Sequence, residues 1–118
     1  MVNTLDASLS AVQSHFTRLN SSAKNIANLN TDGYKGERVT IEEGPTGVTT
    51  TNISTETNPG PTRMELNQAG DLVEVEMSNV DLATEIVKSM ESSLAIKANL
   101  NVAKTADELL GEVIDTLG

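Results

Sequence analysis

The chain carries an amphipathic heptad pattern at each of its two ends and none between them. Near the N-terminus, apolar residues recur at alternating spacings of four and three, at Leu5, Leu9, Val12, Phe16, Leu19, Ala23 and Ile26. Near the C-terminus the same rhythm runs through Ile96, Leu100, Ala103, Leu110, Ile114 and Leu117, with a break at Asp107. Such spacing gathers apolar side chains into one stripe of a helix, which needs a partner to cover it. The pattern favours a chain that bundles and assembles, and it weighs against an enzyme.

The sequence between the two patterns cannot continue a helix. All three prolines and six of the eight glycines fall between Gly33 and Gly70, and both residue types interrupt helices. We therefore expect an N-terminal axial helix within residues 1–31, a β-rich or loop insert at 32–77 and a C-terminal axial helix within 78–118. The expected fold class is mainly α with a small β-rich insert, and the two long amphipathic helices pair in a coiled-coil-like manner.

Local signals predict how these segments begin and end. Ser78 and Asp81 match a capping box that opens the second helix, and Gly33 is expected to take the left-handed conformation that ends the first, with Tyr34 folding back on its last turn. The second helix meets no Gly or Pro before Gly111, so it is the longer one and should overhang the first. The insert is rich in β-branched residues and fits either a small β-hairpin or an extended loop.

Composition narrows the classes of function. The apolar content is 37%, against about 45–50% for globular proteins, and Phe16 and Tyr34 are the only aromatic residues. A lone monomer would thus have a weak core. The net charge of −9 argues against nucleic acid as a partner. The chain has no cysteine, which argues against disulfides and thiolate metal sites. We expect no membrane insertion, because no apolar run approaches about 20 residues, and no Sec-type signal peptide.

No local pattern predicts a catalytic, cofactor or metal site. Residues 28–33 imitate the first half of a calcium-binding loop, but Val39 stands where a bidentate Glu belongs, so helix termination is favoured over calcium. His15 is the only histidine and fits the flank of the stripe better than a zinc or nucleophilic site. A solvated surface is also favoured over acid–base catalysis for four carboxylates: Glu74, Glu76, Asp81 and Glu85.

Two segments resemble the bacterial flagellar axial family, the rod and hook proteins. Ala23–Lys35 is similar to its N-terminal signature, an amphipathic helix that ends in Ala-Asn-x-x-Thr-x-Gly-Tyr-Lys. Asn79–Leu82, Glu85–Val87, Ala98–Asn99 and Lys104–Leu110 are similar to the C-terminal signature. The chain departs from the family in having Ile96 where an aromatic residue is usual and Leu94 where a basic one is. Its size and Asn-Val-Asp start look most like the small proximal rod protein.

The resemblance implies a structural subunit of the flagellar basal-body rod that assembles helically through its terminal helices and transmits torque. It also implies export through the flagellar type III apparatus without a cleaved signal peptide, and a place in the periplasmic rod beside other copies and other rod proteins. No cofactor is implied. The alternatives are a soluble coiled-coil adaptor or a flagellar export chaperone, whose ends would pair in a closed dimer, and, least favoured, an enzyme.

Two sets of residues carry these expectations. The predicted assembly interface consists of Leu5, Leu9, Val12, Phe16, Leu19, Ile26, Leu82, Ile86, Met90, Leu100, Leu110 and Ile114. The resemblance adds motif and hinge residues, namely Asn25, Asn28, Thr31, Gly33, Tyr34, Asn99, Thr105 and Asp107.

Overall fold

The computed structural model describes residues 2–118 as two long helices with short strands between them. The elements in chain order are α1 (Val2–Ala27), β1 (Glu37–Glu43), β2 (Thr49–Thr55), β3 (Thr62–Leu66), β4 (Leu72–Glu76) and α2 (Leu82–Leu117). The expected layout of two terminal helices around a small antiparallel β segment is confirmed. The molecule is elongated, with extents of 81 × 22 × 18 Å.

The two helices pack side by side in opposite directions. Thr4, near the start of α1, lies beside Leu109 of α2, whereas Ile26, near the end of α1, lies beside Ile86 and Met90. With 26 residues in α1 and 36 in α2, the helices are about 39 and 54 Å long. The last turns of α2 therefore extend past the start of α1, in agreement with the expected overhang.

Small and polar residues, not the predicted apolar stripe, make up most of the buried positions on α1 and α2. Ser8, Ser22 and Ser92 are buried, and their small side chains let the helix axes approach closely. The buried apolar residues of the described chain are few: Val12, Val39, Ile96 and Ala106. Because Leu9 and Phe16 of the stripe stay exposed, the packing inside one chain does not show the expected coiled-coil seam.

The insert folds into two antiparallel hairpins, β1–β2 and β3–β4. Val39 faces Ile53 in the first hairpin, and Leu66 faces Leu72 in the second. Both hairpins close with a glycine of positive φ just before the return strand, Gly47 at 79° and Gly70 at 83°. A positive φ costs glycine little, and this placement suits the right-handed twist of a hairpin. Of the two expectations for the insert, hairpin structure is the correct one.

The two hairpins differ in how they are held. The β1–β2 hairpin lies against α1, where the hydroxyls of Ser14 and Thr49 share a hydrogen bond of 2.6 Å and the Ser10 hydroxyl accepts one from the Thr49 amide. Within residues 2–118, the β3–β4 hairpin packs against neither helix. Polar contacts hold it instead, including an ion pair of 2.9 Å between Arg63 and Asp32.

Two local predictions need correction. The Ser78–Asp81 capping box is wrong, because α2 begins at Leu82 and Asp81 is its N-cap, accepting a hydrogen bond from the Ala83 amide. Gly33 has the expected positive φ of 68°, but α1 already ends at Ala27. Gly33 belongs to the turn after the helix, where the Tyr34 amide donates to the Thr31 carbonyl.

Candidate assembly interface

Asn25 is the centre of the polar contacts that join α1 to β1. Its side chain is 1% exposed, and its amide pairs with both backbone groups of Glu37: Nδ2 donates to the carbonyl and Oδ1 accepts from the N–H, each at 2.8 Å. Oδ1 also accepts from the Tyr34 hydroxyl at 3.1 Å. Only an amide supplies a donor and an acceptor in this arrangement, so Asn25 fixes the angle at which the chain leaves the helix.

Asn79 has the matching role at the entrance to α2. Its Oδ1 accepts from the Gly36 amide at 2.8 Å, and its Nδ2 donates to the carbonyls of Glu56 and Asn58. A side chain on Gly36 would put its Cβ 3.3 Å from Val80 and 3.7 Å from Asn25, so the space around Gly36 is tight. We call Asn25, Tyr34, Gly36, Glu37 and Asn79 the junction cluster.

Glu76 anchors the β3–β4 hairpin to the junction cluster. Its carboxylate accepts from the Lys35 ammonium and from the Gly60 amide, and these contacts, Lys35 first, lower the pKa of Glu76 below its ordinary value. Gly60 itself admits no side chain, because a Cβ would lie 2.2 Å from the Met77 carbonyl oxygen. The base of the hairpin is therefore well defined, although its strands contact no helix in the described part of the chain.

Large apolar side chains lie exposed on the side of α1 away from the β1–β2 hairpin. Leu9 is 57% exposed and Phe16 is 48% exposed. The contacts with the hairpin come from Ser10, Ser14 and Arg18, which occupy another side of the helix because successive residues rotate by about 100°. The apolar side of α1 is thus left uncovered by its own chain.

On the side of the helix pair that carries Leu9 and Phe16, α2 is also apolar and open. Ile26 of α1 and Ile86, Met90 and Leu94 of α2 line a groove of about 450 Å³ together with Ser89, Ser93 and Lys97. Leu100 lies seven residues after Ser93 and therefore on the same side of the helix, and it is 52% exposed. We call this groove and the exposed Leu9, Phe16 and Leu100 the open face.

The end of α2 presents further exposed apolar side chains, of which Leu109 lies beside Thr4 of α1. Leu109, Val113, Ile114 and Leu117 are all exposed, Leu117 by 83%. Residues 107–118 carry two Asp and two Glu and no basic residue. We call residues 107–117 the tail.

The structure distributes the predicted interface residues over three environments. Val12 is buried inside the chain, and four residues are partly covered: Leu5, Leu19, Ile26 and Leu110. The other seven are exposed, namely Leu9, Phe16, Leu82, Ile86, Met90, Leu100 and Ile114. The exposed ones are available to another molecule.

The motif residues fall into two groups at opposite ends of the helix pair. Asn25 and Tyr34 belong to the junction cluster, with Gly33 in the turn beside it, and the Thr31 hydroxyl donates to Asn28. Asn99 and Thr105 line grooves near the start of α1, and Asp107 is exposed. The roles of Gly36, Glu37 and Asn79 in the cluster escaped the sequence reasoning, since their partners lie far away along the chain.

Buried polar groups occur where α1 and α2 meet. Nδ1 of His15 is buried without a hydrogen-bond partner, and burial, followed by the nearby Arg18 charge, lowers the pKa of His15. Glu85 is buried with one oxygen unpartnered, while the other lies 3.2 Å from the Lys88 ammonium. Because burying unpaired polar groups costs free energy, these groups make the packing of the two helices less stable than an apolar seam would be.

The described residues contain no group of three or more potential ligands from His, Asp and Glu that could hold a metal ion. The four carboxylates considered above do not converge either: Asp81 caps α2, Glu76 pairs with Lys35, Glu85 pairs with Lys88 and Glu74 is exposed on β4. Neither helix, over the part that the structure describes, is long and apolar enough to cross a membrane.

Comparison with known proteins gives two matches. Residues 74–116 match the family model described as flagellar basal body rod FlgEFG protein C-terminal. Across 134 aligned positions the chain is 29% identical to the flagellar basal-body rod protein FlgC of Yersinia enterocolitica, with 100% of this chain and 98% of that protein covered. The family-model match includes the whole of α2 up to residue 116, and with it the α2 half of the open face and most of the tail.

Proposed function

We propose that this chain, which belongs to the flagellar rod protein family, is a subunit of the basal-body rod and assembles helically through its two terminal helices. Family membership implies a structural role in the flagellum and no catalysis. The finer proposal is supported chiefly by one observation, the open face. Both helices leave large apolar side chains exposed along one side of an elongated molecule.

The energetics favour covering this face with other subunits. Burying one large apolar side chain contributes about 1.5–3 kcal/mol, and Leu9, Phe16, Ile86, Met90 and Leu100 all remain exposed in the free chain. We propose that the contacts join unlike surfaces of successive copies. Contacts of that kind repeat into a helical array instead of closing a dimer, and a dense array of them would resist the torque that the rod transmits.

We further propose that the subunit reaches the periplasmic rod through the flagellar type III export apparatus and there contacts other rod proteins as well as its own copies. The small core supports this route. Only four apolar side chains among the described residues are buried, so unfolding the free chain before export costs little.

The test introduces a charge into the open face. Leu100→Asp should leave the free chain folded, because Leu100 is 52% exposed. It should block assembly, because an unpaired charge in a buried interface costs several kcal/mol. Strains that rely on the variant should swim poorly in soft agar, and their purified basal bodies should contain little of the subunit.

Thr40→Asp is the matched control, because Thr40 is exposed on β1 and lies on the strand face opposite to Val39. This variant should be incorporated normally. Normal motility with Leu100→Asp would overturn the proposal. A stable closed dimer of the purified chain, with no incorporation into basal bodies, would instead indicate the adaptor or chaperone.

A further inference from the structure

We infer that Asp32–Gly33 is a site of spontaneous backbone modification, at which Asp32 becomes isoaspartate, and that the β3–β4 hairpin controls its rate. Asp32–Gly33 is the only Asp-Gly pair in the chain, and the chain has no Asn-Gly pair. Such pairs are the most open to this reaction, because glycine has no side chain to hinder the approach of its amide nitrogen. The inference concerns bonds within one chain, so it does not depend on the proposed function.

The reaction closes a five-membered imide ring between the two residues. The amide nitrogen of Gly33 attacks Cγ of Asp32, a C–N bond forms, and one C–O bond of the carboxyl group breaks. The oxygen that leaves takes up the amide proton and one proton from solvent and departs as water. Water then opens the ring. Breaking the new C–N bond restores aspartate, whereas breaking the original peptide bond leaves isoaspartate, in which the backbone runs through Cβ and Cγ.

The nucleophile of this reaction is held by β4. The Gly33 amide donates a hydrogen bond of 2.9 Å to the backbone carbonyl of Glu76. Attack on Cγ requires that the amide proton leave, so this hydrogen bond must break before the ring can close. The Gly33 nitrogen is therefore free to react only when β4 moves away from the turn.

The electrophile is held by β3. The Asp32 carboxylate forms an ion pair with the Arg63 guanidinium, in which Oδ2 lies 2.9 Å from Nη2. Arg63 also pairs with Glu65, two residues along the same strand, at 3.0 Å. While the carboxylate is bound to Arg63, its rotation toward the Gly33 nitrogen is restricted. The second reacting group thus depends on the same hairpin as the first.

The hairpin can open without the helices, because within residues 2–118 it packs against neither of them. A two-stranded hairpin by itself is marginally stable, and segments with few tertiary contacts open locally while the rest of a protein stays folded. Opening of β3–β4 therefore releases both reacting groups at once. The rate of isoaspartate formation at residue 32 should follow the population of the open hairpin.

The product changes the link between α1 and the junction cluster. In the ring form the Gly33 nitrogen carries no proton, so its hydrogen bond to the Glu76 carbonyl is lost. Isoaspartate then adds one methylene group to the backbone two residues before Tyr34, whose hydroxyl donates to Asn25. The longer backbone displaces Tyr34 relative to α1, and the modified chain should lose part of the stability that the junction cluster provides.

The test measures isoaspartate at residue 32 while the purified protein is kept in neutral buffer for several weeks. Enzymatic methylation of isoaspartate in the digested protein, together with mass spectrometry of the peptide that contains residue 32, gives the amount. The folded chain should accumulate isoaspartate severalfold more slowly than the same chain unfolded in urea. Arg63→Gln and Glu76→Gln should each raise the rate in the folded chain by roughly two- to fivefold, the effect of losing one exposed ion pair.

Two controls accompany these variants. Glu74→Gln is the matched one, because Glu74 is exposed on β4 and makes no ion pair within the described chain; it should react at the rate of the unmodified protein. Asp32→Glu tests the chemistry, because the longer side chain would have to close a less favourable six-membered ring. This variant should give no isomerised product at residue 32.

The outcomes separate the site from its control by the hairpin. Equal rates in the folded chain and in urea would overturn the protection, and so would equal rates in Arg63→Gln, Glu76→Gln and the unmodified protein. A faster rate that is accompanied by faster amide hydrogen exchange in α1 would mean that the whole chain opens, which also contradicts control by the hairpin. Absence of isoaspartate from the chain unfolded in urea would overturn the site itself.

Discussion

At the scale of single residues, a few buried polar groups decide how the helices leave and enter the rest of the chain. Asn25 satisfies both backbone groups of Glu37 and the Tyr34 hydroxyl, and Asn79 satisfies one amide and two carbonyls. Buried backbone groups are costly when unpaired. The junction cluster therefore carries more stability than its small number of residues implies, in a chain with few buried apolar side chains.

Asn25→Leu should destabilise the free chain by about 2–4 kcal/mol, because it keeps the volume but leaves the N–H and carbonyl of Glu37 without partners. The measurement is urea unfolding followed by circular dichroism. Asn28→Leu is the matched control: Asn28 bonds the exposed Lys24 carbonyl, which water can satisfy, so this change should cost less than about 1 kcal/mol. Equal losses in the two variants would contradict the role assigned to Asn25.

His15 should make the stability of the free chain depend on pH. Its pKa is lowered in the folded chain from an ordinary value of 6.5, so just below pH 6.5 the unfolded chain binds more protons. Stability should therefore fall as pH drops from about 6.5 to the lower folded pKa, and should lose nothing more from this group below it. Melting temperatures at intervals between pH 7.5 and 5, measured on the protein and on His15→Gln, test this. The same decline in both would exclude His15 as the cause.

At the scale of elements, the sequence predicts those helices and helix lengths that depend on local periodicity. The heptad spacing from Leu5 to Ile26 predicts α1, and the run without Gly or Pro before Gly111 predicts the length and overhang of α2. The choice between Ser78 and Asp81 as the helix cap was beyond the sequence, since both are good caps. The bond from the Asn79 amide to the Tyr34 carbonyl holds this segment outside the helix, and such a long-range contact has no local signal.

The candidate interface was predictable only in part, because contacts between residues that are far apart in the chain leave no local signal in the sequence. A stripe such as Leu9, Val12 and Phe16 marks an apolar side of a helix, but it does not say which molecule covers it. In the structure Val12 is buried by its own chain while Leu9 and Phe16 are not. The buried serines, Ser22 and Ser92, give no hydrophobic signal at all, so the contact between α1 and α2 could not be located from the sequence.

The stability of the β3–β4 hairpin should depend on the ion pair between Glu76 and Lys35. Glu76→Gln keeps the shape but replaces charge-assisted hydrogen bonds to Lys35 and Gly60 by weaker neutral ones. Amide hydrogen exchange in residues 62–76 should become severalfold faster while exchange in α1 stays unchanged. Glu74→Gln is the control on the same strand, because Glu74 makes no ion pair within the described chain; its exchange should match that of the unmodified protein.

Acidification should destabilise the β3–β4 hairpin, as Glu76→Gln is expected to do. Because the pKa of Glu76 is lowered from an ordinary 4.5, its contribution is present above about pH 4.5 and is lost as pH falls through the folded value. Faster exchange in residues 62–76 should therefore appear only below about pH 4.5. If the hairpin were already fully exchanging at neutral pH, the anchoring role of Glu76 would be wrong.

At the scale of the whole molecule, 81 Å of length is combined with a cross-section of only 22 × 18 Å. Such a shape has a high ratio of surface to volume, and the buried apolar residues within 2–118 are only four. The free subunit is thus expected to be close to the limit of stability for its size. Many of the large apolar side chains that would stabilise a compact domain are instead exposed.

Assembly should consequently raise the stability of the subunit, since a partner that binds only the folded state shifts the folding equilibrium by mass action. The free chain should melt at a low temperature that rises with protein concentration, and the subunit within isolated basal bodies should melt well above it. Leu100→Asp supplies the control: its melting temperature should not rise with concentration, because the contacts between copies are removed. Differential scanning calorimetry over a hundredfold concentration range tests both statements. A melting temperature that is high in dilute solution and independent of concentration would mean that one copy satisfies its own apolar face, and the open face could not be what drives assembly.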